Sequence, residues 1–107
     1  MGRTIANVKY AGENYLQVFN FLSRLAIGET ISSASAVSTV YSGTDASPSA
    51  FLSGSPTISG AEVTQRIVGG TLGVTYQVVV TVITSLSQYL EQTALIVVVP
   101  DLSLIHI

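Results

Sequence analysis

A chain of 107 residues, 48% hydrophobic and 9% charged, has apolar surface enough for one core and too little charge for a disordered segment. Its four basic residues (Arg3, Lys9, Arg24, Arg66) and six acidic ones are spread singly and give a formal net charge of −2, which excludes a basic footprint for nucleic acid or an anionic membrane surface. Cysteine is absent, so disulfides, thiolate metal sites and a cysteine nucleophile are excluded as well.

Residues 1–14, "MGRTIANVKYAGEN", place Asn7, Lys9, Glu13 and Asn14 where a secretory signal would have its apolar stretch, and are expected to be a flexible N-terminal arm. A β-sandwich domain is expected over 15–101. "YLQVFNFLSRLA", Tyr15 to Ala26, supports two readings. A helix would align Leu16, Phe19, Leu22 and Ala26, whereas a strand would set Gln17, Phe19 and Phe21 against Leu16, Val18 and Leu22. The Val/Phe vocabulary and short length favour the strand.

"TISSASAVSTVYSG", Thr30 to Gly43, reads as a long strand with a parity conflict. Ile31, Val37 and Tyr41 share one face and Ala34, Ala36 and Val40 the other, a conflict that a bulge near Ala36 would repair. "GTDASPSA" ends it with turn formers. "AFLSG" and "TISG" then read as two short pieces separated by Ser55 and Pro56. "EVTQRIVG" alternates Val63, Gln65 and Ile67 against Thr64, Arg66 and Val68, and "GGTLG" is a turn.

"VTYQVVVTVITS" puts Tyr76, Val78, Val80 and Val82 on one face by the strand's period of two. It is broken by Thr75, Gln77, Thr81 and Thr84, and falls short of a membrane span. "YLEQTALIVVVP" is the last strand, closed by Pro100. The whole reads as all-β: an immunoglobulin-like β-sandwich of about seven antiparallel strands.

The terminal "DLSLIHI" holds the one histidine. Leu102 to Ile107 back-translates as CTG TCT CTT ATA CAC ATC, which resembles the end sequence of a transposon adaptor used for sequencing libraries. Residues 102–107 are therefore expected to be adaptor translation rather than native sequence, and His106 leaves the chemistry with them.

Without His or Cys, the Ser-His-Asp and Cys-His arrangements have no base, and a transition metal has no nitrogen or sulfur ligand. Glu13, Glu29, Asp45, Glu62, Glu91 and Asp101 stand singly and read as solvated turn or strand-edge charges. No catalytic, cofactor-binding or metal residues are expected, and the chain is not expected to be an enzyme. Gly28 and Gly73 are expected as structural turn residues. Tyr76, at the start of a strong strand just after Leu72 and Gly73, is similar to the tyrosine corner of Greek-key sandwiches. Tyr10 and Tyr15, near the arm, are the candidates for partner contact.

At "LAIGETISSAS", "VYSGTDASPSA", "SGSPTISG", "VTQRIVGGTLGVTYQVVVTVITS" and "VVPD" the sequence resembles a family of small tailed-phage virion proteins: immunoglobulin-like sandwiches of the fiber-tail adaptor type or related tail and neck components. The resemblance runs from about Phe19 to Asp101 and is most specific at Gly28-Glu29-Thr30-Ile31 and Tyr41-Ser42-Gly43-Thr44-Asp45. It implies a non-enzymatic connector in the virion, present in multiple symmetry-related copies and contacting other tail, neck or fiber proteins, with no nucleic acid or membrane partner. It also implies that Gly28 makes the turn between the first two long strands. "ASAVST" departs from the expected Val/Thr alternation.

Two other functions stay open on the sequence. One is a glycan-binding module recognising host polysaccharide through Tyr15 or Tyr89. The other is a hydrolase built on two carboxylates.

Overall fold

The computed structural model describes residues 3–100, with side chains from Ala6 onward. Asp101, residues 102–107 and His106 lie outside the described residues. Seven strands follow in chain order: β1 (Arg3–Tyr10), β2 (Tyr15–Asn20), β3 (Ile31–Ser42), β4 (Leu52–Ser59), β5 (Glu62–Ile67), β6 (Thr75–Thr84) and β7 (Tyr89–Val99). Two short 3₁₀ turns, Leu22–Arg24 and Pro48–Phe51, interrupt them. The strands form a four-stranded sheet ordered β1-β7-β6-β3 and a three-stranded sheet ordered β2-β5-β4, packed as a sandwich.

Period-two patterning sets the core. Tyr76, Val78, Val80 and Val82 of β6 meet Ala94, Ile96 and Val98 of β7 on one inner face. Phe19 of β2, Val63 and Ile67 of β5, and Phe51 complete the core from the other sheet and its flank. Burying a side chain of this size stabilises by about 1.5–3 kcal/mol, so these rows fix the register of both sheets. β2 takes the strand form, and only its continuation, Leu22–Arg24, turns helical, as a single 3₁₀ turn.

Three expectations need correction. The N-terminal arm is a strand for most of its length: β1 pairs in parallel with β7, from Arg3 opposite Gln92 to Tyr10 opposite Val99. The sheet is therefore mixed and not wholly antiparallel. The pattern misled because the inward positions Asn7 and Lys9 are polar. Lys9 is fully buried, its amine donating to the carbonyls of Tyr10 (3.2 Å) and Ala11 (3.3 Å) while its stem packs in the interior. Burial lowers the Lys9 pKa, against the opposing charge of Glu13.

Second, residues 52–54 of "AFLSG" and 57–59 of "TISG" belong to one element, β4, while Ala50 and Phe51 end the 3₁₀ turn before it. The strand carries Pro56 on a sheet edge where no ladder N–H is required, and its register against β5 shifts between Ser53 and Thr57. Third, β3 has no shift at Ala36. Its shifts lie between Ile31 and Ser33 and between Val40 and Ser42, so Ile31 is buried at one end while Ala34, Ala36, Ser38 and Val40 face inward beyond it. Val37 and Tyr41 are left outward and exposed.

Candidate functional site: two pinned ends and an exposed apolar surface

The sandwich has two ends, and strand β6 runs from one to the other. From Tyr76 to Thr84 it spans about 26 Å at roughly 3.3 Å per residue. A carboxylate engages a hydroxyl at each end.

At the first end, Glu29 follows a tight turn in which its N–H donates to the Ala26 carbonyl (2.9 Å). Gly28 occupies the third turn position at φ +83°, which a type II turn requires and which glycine adopts without a Cβ penalty. The Glu29 carboxylate is buried. One oxygen accepts the Ala26 N–H (2.8 Å) and the other accepts the Thr84 hydroxyl. These two hydrogen bonds, the Thr84 bond foremost, hold the Glu29 carboxyl below its usual range.

Thr84 also accepts from the N–H groups of Leu86 (3.3 Å) and Gln88 (3.1 Å), so one hydroxyl organises the β6–β7 turn. Thr30 and Ser85 join the two turns directly: the Ser85 N–H donates to the Thr30 carbonyl (2.8 Å), and the Thr30 N–H donates to Ser85 Oγ (3.0 Å). The β2–β3 and β6–β7 connections thereby become one rigid rim.

That rim is apolar. Ile27, at the tip of the turn beside Gly28, has 107% relative exposure, that of a free residue. Leu22 and Leu86 are exposed on the same pair of connections, and Tyr89, exposed at the start of β7, lies across from Ile83 on β6. A cavity of about 460 Å³ opens beside Leu22, Ala26, Ile27 and Glu29. From the rim, the outer face of the four-stranded sheet continues through Val37, Val79, Leu95, Val97 and Val8, with a groove of about 310 Å³ between Val8, Thr75 and Val97. Among the described side chains, Glu91 is the one charge in the strands of that outer face. An exposed apolar surface of this extent is of the kind that marks an interaction site.

At the other end, the Tyr76 hydroxyl accepts the Thr71 N–H (2.8 Å) and donates to Asp45, whose second oxygen accepts the Ser47 N–H (2.8 Å). The Tyr76 bond is the largest cause of a lowered Asp45 pKa, and burial, more than Asp45, raises that of Tyr76. The Tyr76 ring stacks on Phe51 at 4.0 Å between centroids and 9° between planes. Gly73 occupies the third position of the Thr71–Val74 turn at φ +81°. Gly70, at φ +99°, is the tightest glycine here: a Cβ would lie 2.8 Å from both Phe51 and Val98.

The tyrosines expected near a partner sit differently from one another. Tyr10 is half-buried at the end of β1. Tyr15 turns inward, where its hydroxyl donates to Gln17 (3.3 Å) and accepts from Asn7 (3.4 Å), bridging β2 to β1. Burial, reinforced by the Glu13 charge, pushes its pKa up to about 12. Glu29 and Asp45, taken from the sequence as solvated charges, are instead bonding groups within the fold. Their hydroxyl partners lie 55 and 31 residues away, and no local pattern announces those.

Among the described residues, no group of three or more His, Asp or Glu side chains converges as a metal site, and no helix is long and apolar enough to cross a membrane. A family model matches residues 9–97, from the end of β1 through most of β7: Podophage GP4 fiber-tail adaptor protein gp77. The chain belongs to this family. No curated protein and no solved structure gives a significant match. A phage fiber-tail adaptor is a structural component, so family membership supports a structural role in the virion. The Glu29 and Asp45 carboxylates bond hydroxyls at opposite ends of β6 and do not converge.

Proposed function

We propose that this chain is a non-enzymatic adaptor joining phage tail or neck to fiber, in several symmetry-related copies, and that it docks through the rim formed by the β2–β3 and β6–β7 connections. The observation that carries this reading is Ile27, fully exposed on a turn that the buried Glu29 carboxylate holds to Thr84. A pre-organised apolar tip loses little freedom on binding, which is the economy a small connector needs. Fiber, tail or neck proteins with an apolar pocket are the partners it fits. The sheet face beyond the rim offers a second contact surface, and an adaptor needs at least two.

We read the sandwich as immunoglobulin-like. The pairings β2-β5-β4 and β3-β6-β7 correspond to the B-E-D and C-F-G pairings of that architecture, and the Tyr76 bond to the backbone five residues upstream corresponds to its tyrosine corner. On that correspondence the proposed rim is the end at which variable domains carry their B–C and F–G binding loops. The glycan reading draws less support, because Tyr15 is tied inside and Tyr89 shares its surroundings with aliphatic groups.

The test is particle incorporation. Ile27→Asp and Leu86→Asp are expected to fold with an unfolding midpoint within a few degrees of the parent, yet to drop out of purified particles when they replace the parent gene in a phage. Incorporation at the parent level would remove the rim from the interface.

A further inference from the structure

The sandwich has four strand edges, at β1, β3, β2 and β4, and an uncovered edge is a template for another strand. Three of them are blunted. On β1 the Ala11 N–H donates to Val99, so by alternation the N–H groups of Val8 and Tyr10 point away from β7. Asn7 Oδ1 takes the first (2.9 Å) and Glu13 Oε1 the second (2.8 Å). On β4, Pro56 removes a donor and the register shift between Ser53 and Thr57 breaks the row. β3 carries two register shifts and is flanked by β4 and the Pro48–Phe51 turn.

β2 has none of these devices. It keeps an unbroken register with β5 over all six residues, contains no charge and no proline, and exposes Leu16 (52%) and Val18 (43%). The Phe21 N–H donates to Ala61 on the β5 side, so the odd residues of β2 face β5, and Leu16 and Val18 present both N–H and C=O to the open edge.

We propose that the β2 edge pairs antiparallel with the β2 edge of a second copy of this chain, with the two-fold axis through Gln17. The strand's own pattern argues for that occupant. Directly opposed residues must lie on the same face, so the axis has to pass through a residue and not between two. Centred on Gln17, Leu16 stands opposite Val18 of the other copy and Val18 opposite its Leu16. Both are hydrogen-bonded pairs, giving four new backbone bonds. The same register gathers two leucines and two valines on the outer face and opposes no charges, and it extends the sheet to six strands. Centring on Val18 would instead place Leu16 against the polar Asn20. The inference is independent of the adaptor reading, because it concerns the isolated chain.

Analytical ultracentrifugation across a wide concentration range is expected to show a reversible monomer–dimer equilibrium. Val18→Pro removes an N–H that β5 does not use, and is expected to weaken the dimer at least tenfold while the thermal midpoint of the dilute monomer holds. The chain has no cysteine, so single-cysteine variants report the register under mild oxidation. Gln17→Cys sits in a non-hydrogen-bonded pair with Cα atoms about 4.5 Å apart, within disulfide reach, and is expected to cross-link to dimer. Val18→Cys is expected to remain monomeric on a denaturing gel. A chain that stays monomeric at all concentrations, a dimer indifferent to Val18→Pro, or cross-linking through Cys at 18 and not at 17 would each overturn the proposal.

Discussion

The two ends of β6 answer the same problem with different chemistry. At the Tyr76 end the fold is dense: an aromatic pair stacks, a glycine sits against both a ring and a valine, and the half-exposed Asp45 ties the Tyr76 hydroxyl to a Ser- and Gly-rich loop. At the Thr84 end the carboxylate is inside and the aliphatic groups are outside, with Ile27, Leu22 and Leu86 turned to solvent. The Tyr76 end also exposes Leu72 and Tyr41, but its aromatic pair is buried and its carboxylate latch half exposed, whereas the Thr84 end buries its carboxylate and leaves the tip of its turn, Ile27, wholly exposed. The difference is what the proposed docking at the Thr84 end requires, a held turn with an exposed apolar tip.

The density of the Tyr76 end gives the largest expected effect. In Gly70→Ala the new methyl meets Phe51 and Val98 at a backbone angle that L-residues avoid, and the two penalties together come to about 2–5 kcal/mol. At about 4–8 °C per kcal/mol for a domain of this size, calorimetry should find a loss of more than 8 °C or no folded state. A loss below 3 °C would mean that this end is looser than the stacking geometry implies. The latches come next. Tyr76→Phe leaves the Thr71 N–H without its partner and should cost about 1–3 kcal/mol. Thr84→Val deprives two N–H groups and the Glu29 carboxylate at once, so it should lower the midpoint more than Tyr76→Phe does. The reverse order would place the more important latch at the dense end.

How far the sequence disclosed these two ends follows from the range of the interactions. β5 and β6 were legible from a period of two, which needs no knowledge of the partner strand, and β7 from an apolar run of strand length closed by Pro100. Gly28 and Gly73, expected as turn residues, have φ above zero. Tyr76 was picked out from its place at a strand start, and its backbone partner is five residues away. Glu29 and Asp45 were not legible, since an isolated carboxylate looks the same whether it faces water or a hydroxyl 55 or 31 residues distant. β1 was hidden for a related reason: its inward Asn7 and Lys9 invert the usual pattern, and only the parallel pairing with β7 explains them. The apolar rim was not legible: the exposure of Leu22, Ile27, Leu86 and Tyr89 follows from how the two connections fold and bond.

The smallest expected effect is the response of the two latches to acid, and it tests whether they act separately. Both carboxyls titrate below their usual range in the folded chain, so the unfolded chain takes up protons first as pH falls. The stability each provides is therefore complete above the ordinary carboxylate range, and is lost as pH drops through the lower, folded value. Urea midpoints measured from pH 7 down to pH 3 should decline for the parent. Asp45→Asn and Glu29→Gln keep the size of the side chain and an oxygen to accept the hydroxyl, but cannot protonate. Each should start lower at pH 7 and decline less steeply, and the double variant should be the flattest. Because the ends lie about 26 Å apart along β6, with no shared partner, the two changes in slope should add. If either single variant flattened the curve as fully as the double, one end alone would carry the acid response, and the symmetry drawn between Glu29 with Thr84 and Asp45 with Tyr76 would be one of geometry without equal energy.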